Sequence, residues 1–225
     1  MRRALFIDDN SKTVIFSDEL EHAYTHLSES MWLPALGYSK QFDGHIYVSG
    51  ATESGKSYFI KKMVQNDRYK RPVFLFTNLV NDDPSLIGIE NVTKYHSGNV
   101  DWISITKNDH NKILIFDDIQ KNEDFKKYRD KMLEEGRHKN TIVICVNHRL
   151  QDWYNTMVAL NECRFVVTFP CSNRGNVFKY LKNEFEMDRK ELNKVLSIAC
   201  KEGRYLIIHR FHPVCFASTH SIFKL

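Results

Sequence analysis

Between residues 45 and 169 the chain alternates short, continuous apolar runs with longer amphipathic or polar stretches. The runs are His45-Ile46-Tyr47-Val48-Ser49, Pro72-Val73-Phe74-Leu75-Phe76-Thr77, Lys112-Ile113-Leu114-Ile115-Phe116-Asp117-Asp118-Ile119, Thr141-Ile142-Val143-Ile144-Cys145-Val146 and Arg164-Phe165-Val166-Val167-Thr168-Phe169. A run that is apolar at every position suits a parallel strand covered on both faces, whereas a half-exposed strand would alternate. The intervening stretches have helical spacing. Residues 58–64 are one such stretch after the first run, and residues 123–135 put Phe125, Tyr128, Met132 and Leu133 on one face with Lys126, Lys127, Arg129 and Lys131 largely elsewhere. Gly136 reads as the stop of that helix, and 152–162 reads as another. The pattern predicts an α/β fold, a mainly parallel sheet between helical layers, with the run at 164–169 as the last core strand.

The flanks are less regular. Leu5-Phe6-Ile7 and Thr13-Val14-Ile15-Phe16 enclose the turn-prone Asp8-Asp9-Asn10-Ser11 and predict a hairpin beside the main sheet. Residues 17–30 read as a helix, with Leu20, Tyr24 and Leu27 at spacings of four and three. Trp32 and Tyr38 follow in a linker, buried at a domain edge or stacked on an adenine base. Residues 78–111, with short apolar pieces at 87–92 and 100–105, read as loops facing a partner. Beyond 169, Ser172 and Asp188 are expected helix caps, the second in an Asp188-x-x-Glu191 box. Gly203 closes that helix, and 205–208 with 214–216 predict a terminal hairpin. The expected organisation is a single domain, with 1–43 as an N-terminal hairpin and helix, 44–170 as the core, and 171–225 as C-terminal helices and hairpin.

The chemistry enters directly after the first run, at Gly50-Ala51-Thr52-Glu53-Ser54-Gly55-Lys56-Ser57. This is G-x-x-x-x-G-K-[ST], the phosphate-binding loop. Its two glycines let the backbone curl until successive N–H groups point at a β-phosphate, where the following helix N-terminus adds its positive end. Lys56 then holds β- and γ-phosphate oxygens, and Ser57 offers a hydroxyl to Mg²⁺. The strand ending in Asp117-Asp118 is the companion motif: Asp117 for the metal shell and Asp118 to take a proton from the attacking water or to orient it. Asn147 and His148 stand at the carboxyl end of the next strand, where polar residues face the ligand crevice and can sense a γ-phosphate.

Composition narrows the partners only a little. The 225 residues are 42% apolar and 12% aromatic, enough for one sizeable core, and 32 basic against 28 acidic side chains leave a net charge of +4. That balance permits nucleic-acid contact without demanding it. No apolar run has bilayer length, and Asp8-Asp9 interrupts the first apolar stretch, so the expectation is a soluble intracellular protein. Five cysteines without a C-x-x-C pair read as free thiols. His209, His212 and Cys215 are close in sequence but lack paired ligand spacing, which argues against zinc.

Four features in order, GATESGKS, ILIFDD, the helix end EEGRHKN and the strand TIVICVNH, resemble the FtsK/HerA superfamily, and within it the genome-packaging ATPases of double-stranded DNA viruses. The resemblance covers about residues 45–169. It implies a P-loop NTPase three-layer sandwich of the RecA/FtsK-like type, with an additional strand between the phosphate-loop strand and the acidic strand. It further implies an ATP- and Mg²⁺-dependent motor, a hexameric or pentameric ring, that moves double-stranded DNA into a capsid through capsid or portal partners. The setting implied is a host cytoplasm or viral factory, or the virion. In that pattern Arg137 is either a finger for the neighbouring subunit's γ-phosphate or a helix C-terminal cation, with Arg149, Arg164 and Arg174 as competitors for the finger. Asp118 stands where the family often has Glu, and His148 where it commonly has Gln. Lys94, Lys107 and Lys112 are candidate DNA contacts. A nucleotide kinase, or a nucleotide-binding module without turnover, is the alternative reading.

Overall fold

The apolar runs form the strands they predict. In the computed structural model, which describes residues 3–20, 24–27, 29–39, 42–78, 89, 91–96, 100, 102–107, 110–150 and 156–224, they are β5 (His45–Ser49), β6 (Val73–Thr77), β8 (Ile113–Asp117), β9 (Ile142–Asn147) and β10 (Cys163–Thr168). The earlier strands β1 (Ala4–Asp8), β2 (Val14–Phe16), β3 (Tyr24–His26) and β4 (Trp32–Pro34) precede them, and β7 (Val92–His96) lies between β6 and β8 in sequence. The strands β11 (Leu206–His209), β12 (Cys215–Ala217) and β13 (Ser221–Phe223) end the chain. Among the described residues the main sheet runs β3-β13-β12-β11-β10-β5-β9-β8-β6-β7, and the block from β10 to β7 is parallel throughout. The strand β9 lies between β5 and β8, which is the additional strand that the resemblance implies.

Both faces of the parallel block are buried, and the two-residue period sorts its side chains into two cores. Ile46, Val48, Ile113, Ile115, Ile142, Ile144 and Val146 pack on one side, with Phe59, Ile60, Met63 and Val64 of α1 (Lys56–Gln65). A small sheet of order β2-β1-β4 covers the same side, so the expected N-terminal hairpin gains a third strand. Tyr47, Leu114, Phe116, Val143, Cys145 and Val166 pack on the other side. There they meet the helices α3 (Glu123–Lys139), α4 (Met157–Glu162), α5 (Pro170–Phe185) and α6 (Arg189–Glu202). Phe76 stacks on Phe116 at 4.7 Å and on Tyr95 at 5.1 Å, with Phe125 and Tyr128 of α3 at 5.4 and 5.5 Å. These rings fasten α3 over β6 and β8, each aromatic contact adding about 0.5–1.5 kcal/mol to simple burial.

Several expectations are corrected. Residues 17–20 form a turn and Tyr24–His26 is a strand, so no helix runs through 17–30; the backbone of this segment pairs with β13, and the Leu27 N–H donates to the His220 carbonyl. The run at 164–169 forms the edge of the parallel block, and beyond it the expected terminal hairpin of β11 and β12, with β13 and β3, continues the same sheet antiparallel. The helix α3 passes through Gly136 and ends at Lys139, capped by Asn140 in the left-handed conformation. Gly136 is needed for space instead: a Cβ there would lie 2.6 Å from the Thr141 carbonyl and 2.7 Å from the His45 ring. Ser172 is inside α5, its hydroxyl donating to the Phe169 carbonyl, while Asp188 forms the expected capping box. The apolar piece at 100–105 contributes to a short helix, α2 (Trp102–Lys107); 79–88 and 151–155 lie outside the described residues.

Candidate nucleotide site

The phosphate loop leaves the carboxyl end of β5 and opens α1. Gly55 is the residue before that helix, with φ of 103°, a conformation that L side chains rarely adopt. Gly50 is fixed by crowding: a Cβ would lie 2.5 Å from the Ser54 hydroxyl and 2.8 Å from the Phe169 ring. No side chain caps the first turn of α1 and no acid lies in it, which suits an anion at this helix end. The Lys56 ammonium donates to the loop's own carbonyls, Gly50 at 2.7 Å and Ala51 at 2.9 Å. The lysine is thereby folded back over the loop that its sequence motif assigns to phosphate.

Register places the other groups at the same end of the sheet. Ser49 is level with Asn147 across β5 and β9, and Val146 is level with Asp117 across β9 and β8. At roughly 4.8 Å between neighbouring strands, the acidic strand end is about 10 Å from the loop strand, a span that a phosphate and a metal ion fill. Asp117 and Ser57 are both half-buried there. The hydroxyl and the carboxylate are hard oxygen donors of the type Mg²⁺ takes. Asp118 follows with φ of 49°. Its Oδ2 lies 2.6 Å from Nε2 of His148, and its Oδ1 is buried without a hydrogen-bond partner among the described residues. Asn78 holds the Asp118 carbonyl at 2.9 Å.

Asn147 behaves differently from the sensor expected of it. Its side chain is buried, donating to the Tyr47 hydroxyl at 3.1 Å and accepting from Gln120 at 3.0 Å, while the Tyr47 hydroxyl donates to the Arg149 carbonyl. Asn147 braces the strand end on which His148 is presented.

Arg137 is not brought to this site within the chain. It is exposed on the last turn of α3 and lines a cavity of about 560 Å³ with Asp43, Asn111 and Asn140, at the amino ends of β5, β8 and β9. Arg164 lies at the same end, donating to the Phe42 and Asp43 carbonyls at 2.9 Å; burial, then Arg3 and Arg137, push its guanidinium down to about 10. Arg164 is thus held by the fold. Lys112 is buried, with its ammonium 4.4 Å from the Phe74 ring centre, and is removed as a DNA contact. Lys94 is half-buried on β7, and the Lys107 side chain lies outside the described residues. Trp32 is fully buried, its indole N–H donating to the His220 carbonyl, and the Tyr38 ring faces Arg68 at 5.6 Å, so neither is a base platform. His209 donates from Nδ1 to the Pro213 carbonyl at 3.0 Å.

No protein-family model matches the chain. An uncharacterized protein of Sputnik virophage, V3, is 29% identical over 183 residues, covering 75% of this chain and 72% of V3. Two solved structures are similar to this chain in fold. The DNA-packaging ATPase B204 of Sulfolobus turreted icosahedral virus superposes with a TM-score of 0.50 at 13% identity, covering 78% of this chain and 97% of B204. The cytoplasmic domain of the type VII secretion ATPase EccC of Thermomonospora curvata gives 0.52 at 11% identity, covering 97% of this chain and 28% of EccC. The chain has the P-loop NTPase fold. In P-loop NTPase terms, β5 and Lys56 carry the phosphate loop, β8 carries the acidic pair, and β9 between them presents His148. Among the described residues no helix is long and apolar enough to cross a membrane.

Proposed function

We propose that the chain is an ATP-hydrolysing motor that moves double-stranded DNA into a viral capsid. The observation that carries this reading is the joint placement of the Lys56 loop and the Asp117-Asp118 pair at one end of the sheet, separated by β9. The Sputnik V3 relative and the shared backbone with B204 support the viral setting. In this reading the triphosphate displaces the Gly50 and Ala51 carbonyls as partners of Lys56, and the first-turn N–H groups of α1 take phosphate oxygens. Ser57 and Asp117 hold Mg²⁺, which when bound neutralises charge on the β- and γ-phosphates. Asp118 orients the attacking water or receives its proton, while His148 fixes Oδ2.

Arg137 takes no part in its own subunit's site. Five-residue strands, rising roughly 3.3 Å per residue, hold it about 15 Å or more from the loop. Its exposure at the opposite end of the sheet favours a finger offered to a neighbouring copy, an arrangement that makes turnover depend on ring assembly and is worth about 10³–10⁵ in rate. DNA contact is expected to be to phosphates, hence independent of sequence and steeply weakened by salt.

The experiment is steady-state ATP hydrolysis against protein concentration, with and without long duplex DNA, at two salt concentrations. The expected result is turnover per subunit that rises cooperatively with concentration and again with DNA, the DNA increment shrinking at high salt. Turnover flat in both, appearing only on adding a nucleoside monophosphate, would replace the motor with a nucleotide kinase.

A further inference from the structure

Four of the five cysteines stand in two pairs, and the pairs differ in their access to solvent. The thiol of Cys163, at the head of β10, meets that of Cys145 on β9, and both are buried against the helical layer. Cys171 and Cys200 form the second pair, in which Cys171 is exposed and Cys200 half-buried. The fifth, Cys215, is buried.

The second pair is made by a turn of the chain. Residues 186–188 join α5 to α6, so the two helices return on each other and the first turn of α5 meets the last turn of α6. The Cys171 thiol donates to the Gly203 carbonyl at 3.8 Å, and Cys200 precedes Gly203 on that same last turn. Burial first, then contact with the Cys171 thiol, push the Cys200 thiol up to about 11. Asn173 leaves helical geometry, with φ of −151° and ψ of 48°, so a kink sets the turn carrying Cys171 apart from the rest of α5.

The same two segments brace the phosphate loop. Phe169, just before α5, is the ring that crowds Gly50. It lies edge-on to Tyr205 at 6.2 Å, just beyond α6, and Tyr205 meets Phe59 of α1 at 4.8 Å.

We propose that Cys171 and Cys200 are a modification site, a dithiol that a small-molecule disulfide of the glutathione type oxidises to an intrachain disulfide, fixing the brace behind the phosphate loop. Cys171, the accessible sulfur, attacks one sulfur of the reagent as thiolate; the reagent's S–S bond breaks, and its other half leaves as a thiol with the Cys171 proton. Cys200 then attacks the Cys171 sulfur of this mixed disulfide. The intrachain S–S bond forms, and the second half of the reagent leaves as a thiol with the Cys200 proton. Two electrons have passed from the two cysteines to the reagent. Cys145 and Cys163 are shielded by burial and stay reduced.

The test is incubation of the folded full chain with glutathione disulfide, followed by alkylation in denaturant and peptide mass mapping. The thiol count should fall from five to three, with Cys171 linked to Cys200. Cys200→Ser should stop at a glutathione adduct on Cys171, and Cys171→Ser should keep all its remaining thiols. Closing a loop of about 30 residues should raise the urea midpoint of the oxidised chain, and dithiothreitol should return it to its starting value. Amide exchange at 169–172 and 200–205 should slow in the linked protein. Five surviving thiols, a link through other cysteines, or a wild type that stops at the glutathione adduct overturns the site. Unchanged exchange at those amides in the linked protein overturns its hold on the brace. No readout involves nucleotide, so a chain that fails to bind ATP leaves the outcome untouched.

Discussion

His45 heads the strand that leads into the phosphate loop, and its chemistry exposes that strand to acid. The ring is buried, Nδ1 accepts the Val143 N–H at 3.0 Å, and burial pushes the group down to about 4, with Arg164 acting in the same direction. His209, on β11, is also pushed down to about 4, by burial first and then by Arg164 and Arg3. Unfolded, both return to an ordinary value near 6.5. Between about pH 6.5 and 4 the unfolded chain therefore binds more protons than the folded one, and stability rises with pH across that window. The contribution is complete above about 6.5 and is lost as the pH falls toward 4, on the order of 3 kcal/mol for each histidine. Urea midpoints measured at pH 7.5, 6 and 5 should fall in that order; a midpoint constant over this range would contradict the burial of both rings. None of this was legible in the sequence, where His45 stood at the head of an apolar run and His209 was weighed only as a zinc ligand. Lys56, Ser57, Asp117 and Asp118 were legible because fixed spacing reports a local turn.

At the scale of elements, the parallel strands were readable and the lengths of helices were not. Continuous apolar runs of this length suit strands covered on both faces, and β5, β6, β8, β9 and β10 fall where the runs fall. Gly136 misleads because glycine is a common helix terminator, whereas here it lies inside α3 so that the helix can touch the β5–β9 pair. Its substitution tests this. In a free helix Gly136→Ala would gain up to about 1 kcal/mol of propensity. Here the new methyl meets a backbone carbonyl that cannot step aside and a buried ring that is itself hydrogen-bonded. The expected net effect is a loss of about 1–3 kcal/mol, read as a lower urea midpoint. A gain in stability would mean that α3 packs more loosely on β9 than described. The segment at 17–30 failed for a related reason. Leu20, Tyr24 and Leu27 fit a helical period, but pairing of β3 with β13, which no local spacing reveals, claims the backbone.

For the whole molecule, what matters is which end of the sheet a group occupies. Strand order was implied only by resemblance, yet it decides that the loop, Asp117, Asp118 and His148 meet at the carboxyl ends of β5, β8 and β9. The same order sends Arg137 to the amino ends, so the finger reading survives only between subunits. That yields a complementation test. Lys56→Ala should lose nucleotide binding, and Arg137→Ala should bind nucleotide normally but lose most turnover, each protein alone being nearly inactive. In a mixture, a site formed by the Lys56 of an Arg137→Ala subunit and the Arg137 of a Lys56→Ala neighbour has both groups intact. Random assembly of equal amounts then restores roughly a quarter of the sites, since two independent halves must coincide in a head-to-tail ring. Hydrolysis rising from near zero in either variant to about that fraction of wild type supports catalysis across the interface. An Arg137→Ala protein that hydrolyses ATP normally while assembled would instead pass the role to Arg149 or Arg174, which are exposed near the carboxyl ends of β9 and β10. An inactive mixture of well-assembled, nucleotide-binding subunits would leave Arg137 as a helix-terminal cation serving only its own chain.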